Sequence, residues 1–203
     1  MRRTTEHVDV VFDRRDAPGR GLADSADAIA RACHAMSERF HRGGRLFTFG
    51  NGGAATDAQH IAVEFVHPVI VGKRALPALS LTGDVATLTG VGATAGFADI
   101  FAHQLRHFAE PGDIALGISP DGRCADVLNG LRTARDLGLL TVALLGGYGG
   151  AVAEAGVADH QVVVASDDPR VVKEVHVTAY HVLWELVHVF LEQPGVLAPE
   201  VIS

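Results

Sequence analysis

Lysine and cysteine are almost missing from this chain, and each shortage closes off a class of function. Only Lys73 and Lys173 stand beside 15 arginines among the 17 basic residues, and 24 acidic residues set the net charge at −7. Without a dense basic run, neither nucleic acid nor an anionic membrane surface is expected as a direct partner. Cys33 and Cys124 are too few for a disulfide framework or a cysteine zinc site. Long apolar runs are missing too. Ile114 to Ile118 and Val142 to Leu145 fall far short of the roughly 20 residues a membrane helix needs. Met1-Arg2-Arg3 is followed by a polar, charged segment with no apolar core, so no signal peptide is expected. A cytoplasmic globular protein is the expectation. At 203 residues and 48% hydrophobic, the chain can fill one core.

What is present alternates. Helical patterning runs from about Glu6 to Arg15, breaks at Pro18-Gly19, and resumes from about Leu22 to His41. Short apolar strands are expected at Leu46 to Phe49, Ala78 to Leu81, Asp113 to Ser119, Thr141 to Leu145 and Gln161 to Ala165. Helices are expected at Asp84 to Leu88, Phe97 to Phe108, after the Pro120–Arg123 turn to Leu137, near Ala151 to Ala155, and from Arg170 to Glu192. Continuously apolar strands alternating with helices predict an α/β fold, a doubly wound five-stranded parallel sheet covered on both faces. One domain over 1–203 is expected, with N-terminal helices at about 5–42 and an α/β core at about 45–192. The flanking helices exceed what five strands need, and their surplus apolar surface suggests a second subunit.

Chemistry concentrates after the first strand. Gly50-Asn51-Gly52-Gly53 turns the chain into a helix that carries His60 and Glu64 four residues apart, on one face beneath the turn. A glycine turn opening a helix offers free N–H groups to an anion. An imidazole and a carboxylate beside it can move protons or hold a metal. The turn Ser119-Pro120-Asp121-Gly122-Arg123 lies at a second strand end, where ligands of such sheets bind.

These residues, running from Phe49-Gly50-Asn51-Gly52-Gly53 through Asp57 and His60 to Glu64, resemble the sugar isomerase (SIS) family, and within it the phosphoheptose isomerases. Gly96-Phe97, Asp99-Ile100-Phe101, Gly112-Asp113, Gly117-Ile118-Ser119, Lys173-Glu174-Val175-His176 and His181 extend the likeness from about Leu22 to Glu192. The resemblance implies a flavodoxin-like sandwich, a homotetramer, and aldose–ketose isomerisation of a sugar phosphate such as sedoheptulose 7-phosphate. It places Asn51, Gly52 and Gly53 on substrate and zinc on His60, Glu64 and His181, with a further ligand at the position of Lys173. Glu64 would take the proton between C1 and C2, and His181 would shuttle it to the oxygens.

The chain also departs from the family pattern. Ala54 replaces a serine, and Ala93-Thr94 replaces Asn-Asp. The phosphate loop, Ser-Thr-Ser-Gly-Asn-Ser in the family, here runs from Ser119 to Cys124 with Pro120, Asp121 and Cys124 in place of hydroxyl donors. Asp121 would repel a phosphate dianion unless a cation such as Arg123 intervenes. Lys173, also expected as a substrate contact, replaces a glutamine ligand and binds metal only when deprotonated. Three arrangements compete: its ammonium fills the metal's place and pairs with Glu64; zinc stays on His60, Glu64 and His181 with Lys173 turned outward; or Glu174 substitutes as ligand. An isomerase of another sugar, or a non-catalytic sugar or protein binder on the same fold, are the competing functions. His176 and His188 read as packing or interface residues, His67, His103 and His107 as surface or interface, and Trp184 and Phe190 as core or subunit contacts. The glycines at 146–150 lack the spacing of a nucleotide fingerprint, and Ser119 lacks the pattern of a hydrolase nucleophile.

Overall fold

The computed structural model describes residues 2–193 and 195–197, with side chains from residue 8 onward. Its helices are α1 (Arg2–Asp24), α2 (Ala26–His41), α3 (Gly53–Val66), α4 (Val85–Thr94), α5 (Ile100–Phe108), α6 (Ala125–Asp136), α7 (Gly150–Glu154) and α8 (Pro169–Glu192). Five strands, β1 (Leu46–Gly50), β2 (Ala78–Ser80), β3 (Ile114–Ser119), β4 (Leu140–Leu145) and β5 (His160–Val163), pair in parallel in the order β2-β1-β3-β4-β5. The predicted doubly wound sheet is therefore present.

Burial explains why the central strands lack polar alternation. Every residue of β1, β3 and β4 is buried, whereas β2 and β5, at the edges, are partly covered. Leu46, Leu116, Val142 and Leu144 face one core with Met36, Phe65 and Leu183 from α2, α3 and α8. Their neighbours Phe47, Phe49, Ala115 and Ala143 face the other, with Phe101, Leu105 and Leu131 from α5 and α6. Period-two alternation thus separates two apolar layers instead of core from solvent.

Two boundaries differ from expectation. The break at Pro18-Gly19 is not there: α1 runs through Pro18 and the corner falls at Ser25. Pro18 removes one N–H, but the turn before it is anchored on α8 by Arg14–Asp168 at 3.2 Å and Arg15–Glu174 at 2.6 Å, and the helix continues through it. The helix expected to stop at Leu88 continues to Thr94. Asp84 starts it, accepting the Thr87 N–H at 3.1 Å and the Thr87 hydroxyl at 2.6 Å. Gly90 and Gly92 cost about 1 kcal/mol each and do not end it.

From β1 the chain steps outward to β2 and then returns to β3 on the other side, so the strand order reverses between β1 and β3. The crevice beyond their carboxyl ends is the binding position of such sheets. Both glycine turns open there. The second is held to the loop after β4: Gly122 has φ +69°, and a Cβ on it would lie 2.0 Å from the Gly149 carbonyl oxygen. Gly122→Ala is expected to cost about 3 kcal/mol, lowering the melting midpoint by about 10 °C. Gly19→Ala, inside α1 with nothing within 4 Å, should be neutral to stabilising by up to about 1 kcal/mol. Calorimetry of both variants checks this, and equal midpoints would contradict it.

Candidate active site

The β1 turn is shaped by Gly52, whose φ of +54° and ψ of −119° suit glycine and immediately precede α3. Asn51 reaches across the crevice and donates to the Asp126 carboxylate in the first turn of α6. Burial raises the Asp126 pKa, and the Asn51 donation acts against that rise. Asn51 is thereby fixed between the two glycine turns.

One level deeper, α3 and α8 meet along a seam. His60 and Glu64 come from α3, His181 from α8, and their ligand atoms all lie within 4.8 Å of one another. His60 Nε2 is 3.2 Å from Glu64 Oε1, and His60 Nδ1 is 2.8 Å from the Tyr180 hydroxyl. Against an ionised carboxylate the ring donates from Nε2 and accepts the Tyr180 O–H at Nδ1. With Nε2 on a metal, Nδ1 would carry the proton and donate to the same hydroxyl, so Tyr180 can hold the ring in either tautomer. Burial raises the Tyr180 pKa to about 12, keeping the phenol protonated. Trp184 Nε1 donates to the Glu64 backbone carbonyl at 2.9 Å and locks the register of the two helices. Glu64 is buried while His60 is half-exposed, so one side of the cluster is open.

Two imidazoles and one carboxylate suit zinc, whose ligand atoms stand roughly 3.4 Å apart around a tetrahedral centre. Closing from 4.8 Å asks for about an ångström of side-chain motion. The set fits a three-ligand site.

Lys173 is not in that set. Its ammonium donates to Gly53 O at 2.9 Å, Thr56 Oγ1 at 3.2 Å and Asp57 Oδ1 at 2.6 Å. It therefore pairs with Asp57 and not with Glu64, and it is not turned outward: the first turns of α3 capture it. An ammonium has three donors and all are committed, so the substrate contact expected of Lys173 has no donor left. Glu174 is no substitute ligand either. Both of its oxygens accept from Arg15, at 2.6 and 2.8 Å, on the α1 side of the helix.

The β3 turn satisfies itself. Asp121 Oδ1 accepts the Arg123 backbone N–H at 2.9 Å and the Ser119 hydroxyl at 3.4 Å, while Ser119 Oγ accepts the Cys124 N–H at 3.3 Å. The carboxylate sits on loop donors that an incoming anion would otherwise use. Arg123 meets Asp121 through its backbone, so the expected shielding of Asp121 by its guanidinium is not formed. Its exposed side chain makes no ion pair among the described residues. A cleft of about 430 Å³ joins Asn51, Asp121, Arg123, Cys124, Gly147 and Ser166 with Asp167, Pro120 and Pro169.

Of the expected contacts, Asn51, Asp121 and Arg123 line this cleft, Gly52 and Gly53 form the adjoining turn, and Ser119 is fully buried beneath it. Sequence reasoning missed Tyr180 and Asp126, carried Asp57 only within the resemblance, and read His176 as packing or interface, in keeping with its burial. Asp57 lies one turn before His60, a signal that was available. Tyr180 has no pattern beyond its neighbour His181. His188 does pack, its ring nitrogens meeting Trp184 O and Arg74 O at 2.9 and 3.0 Å.

A doubly wound sheet with glycine turns at its switch point and an acid–base cluster beneath them defines the sugar isomerase class, and the chain belongs to the SIS domain family, whose model matches residues 19–146. Within that family, relatives at about 40% identity are phosphoheptose isomerases. That of Solidesulfovibrio magneticus is 41% identical over 175 residues, 86% of this chain and 84% of that one. The Aquifex aeolicus enzyme is 43% identical over 71% of this chain and 75% of its own length. Among solved structures, the Francisella tularensis phosphoheptose isomerase superposes with a TM-score of 0.85 at 31% identity, covering 91% of this chain and 98% of that one.

The Lys173–Asp57 pair gives a direct test. Lys173→Met leaves a nearly buried carboxylate without its cation and should destabilise the fold by about 1–3 kcal/mol. The expected result is a lower urea midpoint with zinc affinity unchanged. A loss of zinc with an unchanged midpoint would return Lys173 to the metal site.

Proposed function

We propose that this chain is an aldose–ketose isomerase of a sugar phosphate, a seven-carbon ketose phosphate such as sedoheptulose 7-phosphate being the first candidate. The observation that carries this reading is the convergence of His60, Glu64 and His181 under the β1–β3 crevice, in a chain 41% identical to a phosphoheptose isomerase.

Isomerisation through an enediol needs a base for the carbon-bound proton and an acid–base group for the two oxygens. Glu64 is the base: one oxygen faces His60 and the other can take the proton between C1 and C2. His181, on the opposite helix, carries protons to and from the oxygens. Asn51, held by Asp126, orients the sugar at the turn. Zinc on His60, Glu64 and His181 would supply a Lewis acid for the charge that develops on those oxygens. At the far end Arg123 takes the phosphate, because guanidinium matches it in bidentate fashion and the loop's own donors are occupied by Asp121 and Ser119.

The chain as one domain, a homotetramer and a cytoplasmic location belong to the same proposal. The exposed Val10 and Phe12 on α1 support a helical subunit contact. No helix among the described residues is long and apolar enough to cross a membrane. The self-capped β3 turn favours a second reading, in which the sugar ends in a group other than a bare phosphate.

Glu64→Gln should lower turnover of the ketose phosphate by at least 10²–10⁴-fold with melting and assembly unchanged. Assay of a panel of phosphorylated and unphosphorylated sugars checks both readings. Turnover in the variant within tenfold of wild type would remove Glu64 as base, and a folded wild type inert on the whole panel would overturn the isomerase reading.

A further inference from the structure

Beside the cleft, a cavity of about 280 Å³ opens between the first turns of α3 and α8, walled by Ala54, Pro120, Pro169 and Val172. Its polar lining includes Asp57, Lys173 and His176. His176 is 1% exposed, and its Nε2 is the one buried side-chain nitrogen or oxygen among the described residues that lacks a hydrogen-bond partner. Burial lowers its pKa, so the ring is neutral, and an unpartnered nitrogen of a buried neutral imidazole is costly unless something fills it. Lys173 spends its donors on the protein, while Asp57 holds Lys173 through Oδ1 alone. Arg170, also on the lining, is paired with Asp168 through Nε and Nη2, and the remaining walls are apolar, so the missing partner is an uncharged group that can donate or accept. A hydroxyl does both.

Position identifies which hydroxyl. Along α8, His176 lies about 7–8 Å before His181, and along α3, Asp57 lies about 10 Å before Glu64. The cavity also shares Pro120 and Pro169 with the Arg123 cleft. It thus sits between the acid–base cluster and the phosphate end, where the middle of an open-chain sugar must pass. We propose that His176 is a positioning residue whose Nε2 hydrogen-bonds a mid-chain hydroxyl of the acyclic sugar, selecting polyol chains by a contact remote from the reacting carbons. This rests on the isomerase reading for the direction of the chain, and binding can test it apart from turnover.

Calorimetry with glucitol 6-phosphate, an open-chain polyol that cannot isomerise, and with its single-deoxy analogues is the experiment. Wild type should lose about tenfold in affinity when one particular mid-chain hydroxyl is removed. His176→Phe should bind the parent polyol about tenfold more weakly and be blind to that same hydroxyl, while His176→Gln recovers most of the loss. Wild type binding every deoxy analogue within twofold of the parent overturns the proposal without any variant having to fold. So does absence of polyol binding, or a folded His176→Phe with wild-type affinity. A wild type that shows the hydroxyl dependence yet turns over no sugar phosphate keeps the subsite and overturns the isomerase reading instead.

Discussion

Register between α3 and α8 is the constraint on which the site depends. Neither helix alone brings His181 to His60 and Glu64. The two run in the same direction along their seam, and three contacts at successive levels fix their relative height: Lys173 on Asp57, Tyr180 on His60, and Trp184 on the Glu64 carbonyl. A shift of one residue between the helices is about 1.5 Å, enough to spoil a cluster whose ligand atoms need spacing of a few ångströms. The buried indole bond and the Lys173–Asp57 pair bracket the cluster from both sides. At the level of the cluster itself Tyr180 and Trp184 hold the register, so Lys173 adds stability to the helix pair while giving up any ligand role.

Above the seam, the strand ends decide what the cluster can reach. The sheet reverses its order between β1 and β3, which leaves a crevice that no helix fills. Gly52 turns the chain into α3 there, and Gly122 lets the β3 turn press against the loop after β4. Asp121 then occupies donors of its own turn. A loop that binds its own carboxylate is pre-organised, and under the proposed function its contact with an outside anion falls to Arg123. Substrate choice and turn stability are coupled through one side chain.

Much of this was legible beforehand, and the reasons are physical. Two-sided burial erases polar alternation, so buried parallel strands announce themselves as short apolar runs, and all five were placed within two residues. Spacing of i, i+4 put His60 and Glu64 on one face without any tertiary knowledge. Long-range facts stayed hidden. Nothing local says that Lys173 prefers Asp57 to Glu64, because both carboxylates lie on the same helix and only tertiary height separates them. Pro18 inside α1 was unreadable for a similar reason, since the ion pairs that anchor the turn before it come from residues at 168 and 174. Tyr180 and the orphaned Nε2 of His176 are visible only once burial is known.

Zinc-edge X-ray absorption of the full-length protein loaded with one equivalent of zinc examines the seam directly. The account predicts a first shell of two imidazole nitrogens and one carboxylate oxygen, completed by water, that collapses when His181 is replaced by alanine. A spectrum unaffected by that replacement, or one lacking imidazole scattering, would contradict it.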